Sequence, residues 1–502
     1  MMTEQFILAL DQGTTSSRSL LIDHQGKVQF QCQKEFEQLY PNPGWVEHRP
    51  NDLWESQWET VNELLKKAQV SPAQIAGIGI ANQRETTLVW DRKTGMPIHN
   101  AIVWQDRRTA DYCDNLKKQP NCAETIQEKS GLIVDSYFSA SKINWILNHV
   151  EGAKAKAERG ELAFGTVDTW LVWKLSEGRD HITDVSNAAR TMLFNIHTLA
   201  WDADLCELFD VPMSMLPRIV DNSGMLSNAT VFDHPVPITG IAGDQQAALF
   251  GQQCIEPGMV KNTYGTGCFM LMNTGDKAVK SRHHLLCTVA WKMGGEIRYA
   301  LEGSVFIGGA GVQWMRDELK LFDRAADIES LAQSVDSSDG VVIVPAFAGL
   351  GAPVWDPHAR GSIFGMTRGT GRAHLARAML ESIALQSMDL LQCMERDCGQ
   401  PISELRVDGG ATENDLLLQL QANVLNKEVI RPMNGESTAM GTAFFAGLGT
   451  GFWNGIEDLA SCWQQKDAFN PNPELSEYEE LKTQWRRAIH ATQTWSQYRE
   501  KK

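Results

Sequence analysis

The stretch FILALDQGTTSSRSLLID, residues 6–23, places a polar turn between two apolar runs. The apolar runs, residues 6–10 and 19–22, predict two strands of a meander. The turn between them holds one carboxylate, one glycine and four hydroxyl side chains. A simple chain reversal does not need so many hydrogen-bonding groups, so this turn is a candidate binding site.

The composition of this turn suits a phosphate cradle. Gly13 allows close backbone approach, and successive N–H groups beside it can converge on one oxyanion. Three hydroxyl side chains would add donors: Thr14, Thr15 and Ser16. Arg18 could neutralise phosphate charge, and Asp11 could hold Mg²⁺ directly or through water. The alternative is an ordinary β-hairpin, in which the Asp and Thr side chains only satisfy turn amides.

The second half of the chain repeats the pattern. GMVKNTYGTGCFMLMNTG, residues 258–275, again predicts a strand, a glycine–threonine turn and a strand. Thr266 in this turn would supply donors from the opposite half, so that a polyphosphate could be held from both sides. We therefore predict an α/β fold with two domains, residues 1–250 and 251–502, and a cleft between them.

A third element, LRVDGGATENDLLLQLQANVL, spans residues 405–425. Its paired glycines, Gly409 and Gly410, would let a flat base or a ribose lie against the backbone, although DGG is also a common tight turn. Asn414 and Asp415 lie where a helix is expected to begin. The chain has no GxxxxGK[ST] and no GxGxxG after a strand, so a nucleotide must be held in another way.

Composition and charge exclude several classes of protein. The chain has 502 residues, 43% hydrophobic and 22% charged, as expected for a globular protein of two or three domains. Its net charge of −16 and lack of basic clusters argue against nucleic acid or anionic lipid as the main partner. The uncharged stretch of residues 340–355 is too short and too broken by glycine and proline for membrane insertion. Ten cysteines without CxxC pairs fit a reduced, cytoplasmic location.

Several motifs together resemble those of known kinases. LDQGTTSSR, YGTG and VDGGATEN resemble the two phosphate motifs and the adenosine motif of the ATPase superfamily that includes sugar kinases, actin and heat-shock chaperones. YFSASKINWILNH (137–149) and GSIFGMTRGTGRAHLARAMLE (361–381) resemble the two signatures of the FGGY carbohydrate kinases. NQRETT, IVWQDRRT and GIAGDQQAALFGQ are similar to the glycerol kinases within that family. The resemblance implies two actin-like, ribonuclease H-like α/β domains with an interdomain cleft, and ATP- and Mg²⁺-dependent phosphorylation of glycerol to sn-glycerol 3-phosphate.

The resemblance also implies roles for individual residues. Asp244 would be the general base in an in-line transfer of the γ-phosphoryl group, although an Asp before a helical run is also a common N-cap. The glycerol site would comprise Arg84, Glu85, Trp104, Tyr137, Asp244, Gln245 and Phe269. The ATP or ADP site would comprise Thr14, Thr15, Ser16, Arg18, Thr266, Gly309, Gln313, Gly410 and Asn414. Asp11 would carry the magnesium ion.

Alternatives accompany these assignments. Arg84 and Glu85 otherwise fit a solvated surface pair at the tip of a β segment, and Trp104 and Phe269 otherwise fit the core. A pentose or hexose kinase of the same family, or a non-catalytic nucleotide switch of the actin or chaperone type, would be the alternative functions. From the family we expect a homodimer or homotetramer, with the two halves closing over bound substrate.

Overall fold

The computed structural model describes residues 4–356, 358–472 and 476–497. Its strands are β1 (Phe6–Gln12), β2 (Ser16–Ile22), β3 (Val28–Glu35), β4 (Glu47–His48), β5 (Ile75–Asn82), β6 (Leu88–Asp91), β7 (Ala101–Ile102), β8 (Leu162–Gly165), β9 (Ile182–Asp184), β10 (Phe194–Asn195), β11 (Ala200–Trp201), β12 (Arg218–Val220), β13 (Ser223–Ala229), β14 (Val236–Gly243), β15 (Val260–Tyr264), β16 (Cys268–Gly275), β17 (Leu286–Met293), β18 (Glu296–Val305), β19 (Val342–Val344), β20 (Ser362–Phe364), β21 (Glu404–Asp408), β22 (Glu428–Pro432) and β23 (Gln465–Phe469).

The helices follow the same order. They are α1 (Pro50–Ala68), α2 (Ala110–Lys117), α3 (Cys122–Ser130), α4 (Ser139–His149), α5 (Ala153–Glu158), α6 (Val167–Leu175), α7 (Val185–Ala188), α8 (Ala203–Leu208), α9 (Asp244–Gly251), α10 (Gly309–Asp317), α11 (Asp327–Gln333), α12 (Arg372–Cys398), α13 (Asp415–Leu425), α14 (Ser437–Thr450), α15 (Ile456–Ala460) and α16 (Ser476–Gln497). Among the described residues, no helix has the length and apolar character needed to span a membrane.

Two large mixed sheets organise the chain. The first has six strands in the order β13-β14-β5-β1-β2-β3, and the second has seven in the order β17-β18-β16-β15-β21-β22-β23. The leading hairpin of each half is antiparallel, and its first strand also pairs in parallel with a later strand, β1 with β5 and β15 with β21. The repeated strand–turn–strand pattern is therefore present in both halves, and the predicted two-domain α/β class is confirmed.

The first hairpin is longer than its apolar residues predicted. Strand pairing continues into the polar turn, where Asp11 is the cross-strand partner of Arg18. Partners in an antiparallel ladder have neighbouring side chains, so this register brings a carboxylate and a guanidinium together at the edge of the turn. Only residues 13–15 form the loop between the two strands.

The stretch NDLWESQWETVNELLKKA, residues 51–68, has apolar residues at helical spacing and predicts a helix, and the structure begins that helix, α1, one residue earlier. The sequence favours Asn51 or Asp52 as its cap, but Pro50 is the first helical residue and Arg49 occupies the cap position without a side-chain capping bond. Proline suits this place because its φ is already helical and its missing N–H would have no helical partner. The predicted cap is therefore wrong, and Asp52 instead pairs with Arg49 at 3.2 Å.

Helix α14, from the second half of the chain, packs on the six-stranded sheet of the first. Thr239 on β14 donates from Oγ1 to the carbonyl of Ala446 at 3.0 Å. The same helix crosses α9 at two glycines, Gly251 and Gly441, where a Cβ on either residue would overlap the other helix's backbone. Because α9 begins at Asp244, this close crossing fixes the helix that carries the candidate base.

Candidate active site

Arg84 and Glu85 follow β5 and are buried, with 2% and 1% of their surface exposed. The alternative of a solvated surface pair is therefore wrong. Arg84 donates from Nη1 and Nη2 to the two carboxylate oxygens of Glu302, at 2.6 and 2.9 Å. Arg190 donates from Nε to Glu85 at 2.5 Å and from Nη2 to Glu302 at 3.0 Å. These four side chains are called the buried charge network below.

Two arginines balance two carboxylates in the buried charge network. Burial alone would raise the pKa of Glu302, but the guanidinium groups of Arg190 and Arg84 outweigh it and lower that pKa to about 2. Burial raises the pKa of Glu85 in spite of the same two arginines. A buried ion is tolerated only when it is paired in this way, so each member constrains the positions of the others.

Asp244 is the first residue of α9, and its side chain is partly exposed. Gly243 occupies the cap position, so the N-cap alternative for Asp244 is wrong. The Asp244 side chain is 28% exposed, and its Oδ1 lies 3.3 Å from Arg84 Nε and accepts a hydrogen bond from Gln245 N at 2.7 Å. Burial raises the pKa of Asp244, opposed by the positive charges of Arg84 and Lys261.

Three aromatic side chains lie together: Trp104, Tyr137 and Phe269. The Trp104 ring is 5.5 Å from that of Tyr137 and 6.2 Å from that of Phe269, in both cases nearly perpendicular. Arg190 lies over the Tyr137 ring at 5.5 Å, which connects these rings to the buried charge network. All three rings are half-buried. The alternative that Trp104 and Phe269 belong to the core therefore does not describe their positions.

Lys261 on β15 ties the second sheet to the start of α9. Its Nζ donates to Gln245 Oε1, to Thr263 Oγ1 at 2.9 Å and to the carbonyl of Phe269 at 3.3 Å. Burial lowers the pKa of Lys261 to about 8, although the carboxylates of Asp408 and Asp244 oppose the shift. Lys261 thereby orients Gln245, one of the residues predicted for the polyol.

The first glycine–threonine turn contacts the aromatic group through one hydrogen bond. Trp104 donates from Nε1 to Thr14 Oγ1 at 3.0 Å. Gln83 supports the turn from behind, because its Nε2 donates to the carbonyl of Gly13 at 3.1 Å. Thr15 is exposed, whereas the buried Ser16 hydroxyl accepts a hydrogen bond from Gln33 on β3. The predicted phosphate and polyol residues therefore meet at Thr14 and Trp104.

Asp11 is buried at the end of β1, with 6% of its surface exposed. Arg18 Nε is 3.6 Å away, and the same guanidinium pairs with Glu436 at 2.7 Å. Burial raises the pKa of Asp11 to about 6; Arg18 opposes the shift, while the nearby charges of Asp244 and Glu436 add to it. Among the described residues, no group of three or more His, Cys, Asp or Glu side chains could hold a metal ion. Mg²⁺ is usually bound by one or two carboxylates together with substrate phosphates, so Asp11 stays a candidate ligand.

The second glycine–threonine turn lies against the N-terminus of α10. Gly309 N donates to the carbonyl of Gly265, and Gly308 N donates to that of Thr266, both at 2.9 Å. Thr266 is exposed at the tip of the turn, and Gln313 is exposed one helical turn further along α10. The amides of Gly309, Ala310 and Gly311 at the start of α10 already donate to backbone carbonyls, so this corner offers a phosphate the exposed Thr266 side chain and the positive end of the helix dipole.

The paired glycines of the third motif lie beside the second turn. Gly409 has a φ of +93°, and a Cβ there would overlap the carbonyl of Tyr264, so glycine is required. Gly410 is exposed, with open space where a Cβ would be. Asn414 caps α13 by accepting from Leu417 N at 2.8 Å, which confirms the predicted helix start. The exposed backbone at Gly410 is accessible to a flat ligand.

The comparisons with known proteins agree with this architecture. The model of the FGGY family of carbohydrate kinases matches with its N-terminal domain over residues 6–251 and with its C-terminal domain over residues 260–450. The chain therefore belongs to the FGGY family of carbohydrate kinases, which are phosphate-transferring enzymes. The predicted family and enzyme class are confirmed.

Within the family, the similarity to glycerol kinases extends over the whole chain. The glycerol kinases of Paraburkholderia phytofirmans and Burkholderia ambifaria are each 56% identical over 497 residues, which is 99% of this chain and 99% of theirs. The crystal structure of Plasmodium falciparum glycerol kinase with ADP has a TM-score of 0.91 at 35% identity, covering 97% of this chain and 98% of that one. A xylulose kinase from Lactobacillus acidophilus, at 22% identity, shares the fold, with a TM-score of 0.87 over 97% of this chain and 99% of that one.

Sequence reasoning missed three charged residues of the site: Arg190, Lys261 and Glu302. Lys261 and Glu302 each interrupt a run that is otherwise buried strand, at VKNTY and YALEGSV. A charged residue inside a buried strand requires a partner, and that was the available signal. The partners of Glu302 could not be read from the sequence, because Arg190 and Arg84 lie 112 and 218 positions away along the chain.

Proposed function

We propose that this protein transfers the γ-phosphoryl group of ATP to a primary hydroxyl of glycerol and releases ADP and sn-glycerol 3-phosphate. The observation that carries the proposal is the Trp104–Thr14 hydrogen bond. This bond connects two groups of residues. One is the aromatic group with its adjacent charged residues, which suits a small polyol, and the other is the first glycine–threonine turn, which suits phosphate. The full-length similarity to proteins named glycerol kinase supports the choice of acceptor.

A polyol requires hydrogen bonds to each hydroxyl and apolar walls for its carbon atoms. Arg84, Glu85, Tyr137 and Gln245 provide polar groups of both kinds, donors and acceptors. Trp104 and Phe269 provide the walls. The network that holds Arg84 and Glu85 consists of protein side chains alone, so the cost of ordering these side chains falls on folding and not on binding.

Asp244 acts as the general base in this proposal. Its carboxylate accepts the proton of the attacking hydroxyl while the oxygen forms a bond to the γ-phosphorus and the bond from that phosphorus to the bridging oxygen of ADP breaks. The partial exposure of Asp244 allows access to a ligand, and its raised pKa makes it a stronger base than an ordinary aspartate. Arg84 Nε, 3.3 Å away, orients the carboxylate.

The nucleotide is assigned to the side of Trp104 that is opposite the proposed polyol site. Thr14, Thr15, Ser16 and Arg18 would contact the phosphates from the first turn, and Thr266, Gly309 and Gln313 would contact them from the second. Gly410 and Asn414 would lie beside the adenosine. Asp11 would hold Mg²⁺, which supplies positive charge to the phosphate oxygens when bound.

The wider organisation is also part of the proposal. We assign residues 1–250 to an N-terminal domain and residues 251–502 to a C-terminal domain. The halves are proposed to close over the substrates, since exclusion of water prevents loss of the phosphoryl group by hydrolysis. A cytoplasmic homodimer or homotetramer is the proposed setting.

The test is ADP release from Mg-ATP with a panel of acceptors: glycerol, dihydroxyacetone, xylulose and gluconate. We expect the highest kcat/KM with glycerol. A preference for xylulose or gluconate would move the enzyme to another branch of the FGGY family. Tight ATP binding without stimulation by any acceptor would instead indicate a nucleotide switch, and the proposed function would be wrong.

A further inference from the structure

The buried charge network links the two large sheets. Arg84 follows β5 of the six-stranded sheet, whereas Glu302 lies on β18 of the seven-stranded sheet. The Glu302 side chain is fully buried, and Arg84 donates to both of its carboxylate oxygens. The second sheet therefore supplies the partner of an arginine that we assign to the polyol.

The bonds to Glu302 decide which donors of Arg84 are left for a ligand. Nη1 donates to Glu302 at 2.6 Å and to Gln246 Oε1 at 3.2 Å, so both of its hydrogens are used. One hydrogen of Nη2 is used by the second carboxylate oxygen. The Nε hydrogen and the other Nη2 hydrogen remain. Since Nε lies 3.3 Å from Asp244, the orientation imposed by Glu302 aims the remaining edge of Arg84 at the candidate base.

Glu302 also controls Glu85 through a second arginine. Its Oε1 accepts from Arg190 Nη2 at 3.0 Å, and Arg190 Nε donates to Glu85 at 2.5 Å. Arg190 Nη1 is buried and has no hydrogen-bond partner among the residues that the structure describes. Arg190 is thus held by its carboxylate contacts, and a change at Glu302 would reach Glu85 without touching it directly.

We propose that Glu302 is a positioning residue for the polyol, fixing Arg84 directly and Glu85 through Arg190, so that the second sheet sets the geometry of the acceptor site. This inference rests on the proposed function. The competing explanation is that Glu302 only balances buried charge and stabilises the fold. The two explanations differ in their effect on glycerol affinity relative to ATP affinity.

The experiment compares Glu302→Gln, Glu302→Asp and the wild-type enzyme. Gln keeps the shape but loses the charge, and we expect the KM for glycerol to rise by about 30-fold or more. The KM for ATP should stay within about twofold of the wild type, because Glu302 is not among the residues assigned to the nucleotide. Asp restores the charge with a shorter side chain and should recover part of the lost glycerol affinity.

Glu381→Gln is the matched control. Glu381 is a buried carboxylate of the second half, and its hydrogen bond and ion pair, at 3.0 Å, go to Arg377 on the same helix, α12, and not to the buried charge network. Its loss should lower the thermal unfolding midpoint and leave the KM for glycerol unchanged.

The outcomes separate this inference from the proposed function. A wild-type enzyme without glycerol-dependent ADP release defeats the proposed function itself. An active wild type together with an unchanged glycerol KM in Glu302→Gln, or with equal rises in the KM for glycerol and ATP, shows that Glu302 has only a structural role. If Glu302→Gln gives no folded protein, Glu302→Asp decides: a glycerol KM raised by about tenfold at constant ATP KM supports positioning, and an unchanged one overturns it.

Discussion

The substitution Asp244→Asn tests the chemical step with the least change in shape. Asparagine keeps an oxygen that can accept the 2.7 Å hydrogen bond from Gln245 N, but it cannot take a proton from the acceptor hydroxyl. General base catalysis contributes about 10²–10⁴-fold, so kcat should fall by that factor, equivalent to about 3–5 kcal/mol in the barrier. Glycerol affinity should change by less than about fivefold because Arg84 keeps its two bonds to Glu302.

Single-turnover phosphoryl transfer, measured by rapid quench with excess enzyme, reports the chemical step. Glycerol binding is measured separately through intrinsic tryptophan fluorescence, since Trp104 lies in the proposed wall of the site. Asp221→Asn serves as the control. Asp221 forms an ion pair with Lys292 at 2.6 Å and is not among the residues assigned to the site, so its loss should leave the rate unchanged. Equal single-turnover rates for Asp244→Asn and the wild type would refute the assignment of Asp244 as the base.

Four further outcomes are expected. Trp104→Phe and Thr14→Val each remove the 3.0 Å hydrogen bond between these side chains, so a double-mutant cycle on the KM for ATP should give a coupling of about 1 kcal/mol; strict additivity would contradict the proposed link. The folded-state pKa of Glu302 is lowered from 4.5 to about 2, so its contribution of about 3 kcal/mol is present above pH 4.5 and is lost as the pH falls towards 2. We therefore expect the free energy of unfolding, measured with denaturant at neutral and acid pH, to fall less on acidification in Glu302→Gln than in the wild type. An equal fall in both proteins would argue against the pairing of Glu302 with the arginines. Gly441→Ala should lower both the thermal unfolding midpoint and kcat, because its Cβ would overlap α9. The control Gly435→Ala has open space around it and should change neither quantity. Thermal scans and steady-state assays measure both, and a Gly441→Ala variant without effect would contradict the described helix crossing. Chelation of Mg²⁺ with EDTA should stop turnover while fluorescence still reports glycerol binding, and turnover that survives complete chelation would remove the metal from the proposal.

Features coded by neighbouring residues were predictable from the sequence. The two glycine–threonine turns, their flanking strands and the start of α13 at Asn414 each depend on a few consecutive residues, and the structure confirms them. The predicted cap of α1 is wrong because Asn51 and Asp52, both acceptable cap residues, follow Pro50, which takes the first helical position. Local chemistry alone does not decide between such neighbours.

The buried charge network was not predictable in the same way. Glu85 and Arg190 are separated by 105 positions, and Arg84 and Glu302 by 218. Adjacent Arg and Glu residues at a strand end are typical of a surface, and only these distant partners make their burial tolerable. The family resemblance pointed to Arg84 and Glu85, but the reason why they can be buried comes from the tertiary structure.

The position of α14 has a consequence for how the chain acquires its structure. This helix covers β5 and β14 of the first sheet, and its residues Thr442 and Ala446 lie against Gly79 and Gly240. A nascent chain that has emerged only as far as residue 436 lacks this cover, so an apolar face of its first sheet stays exposed to water. The amino-terminal half is therefore expected to mature only after nearly all of the polypeptide has been synthesised, and the two halves complete their folding together.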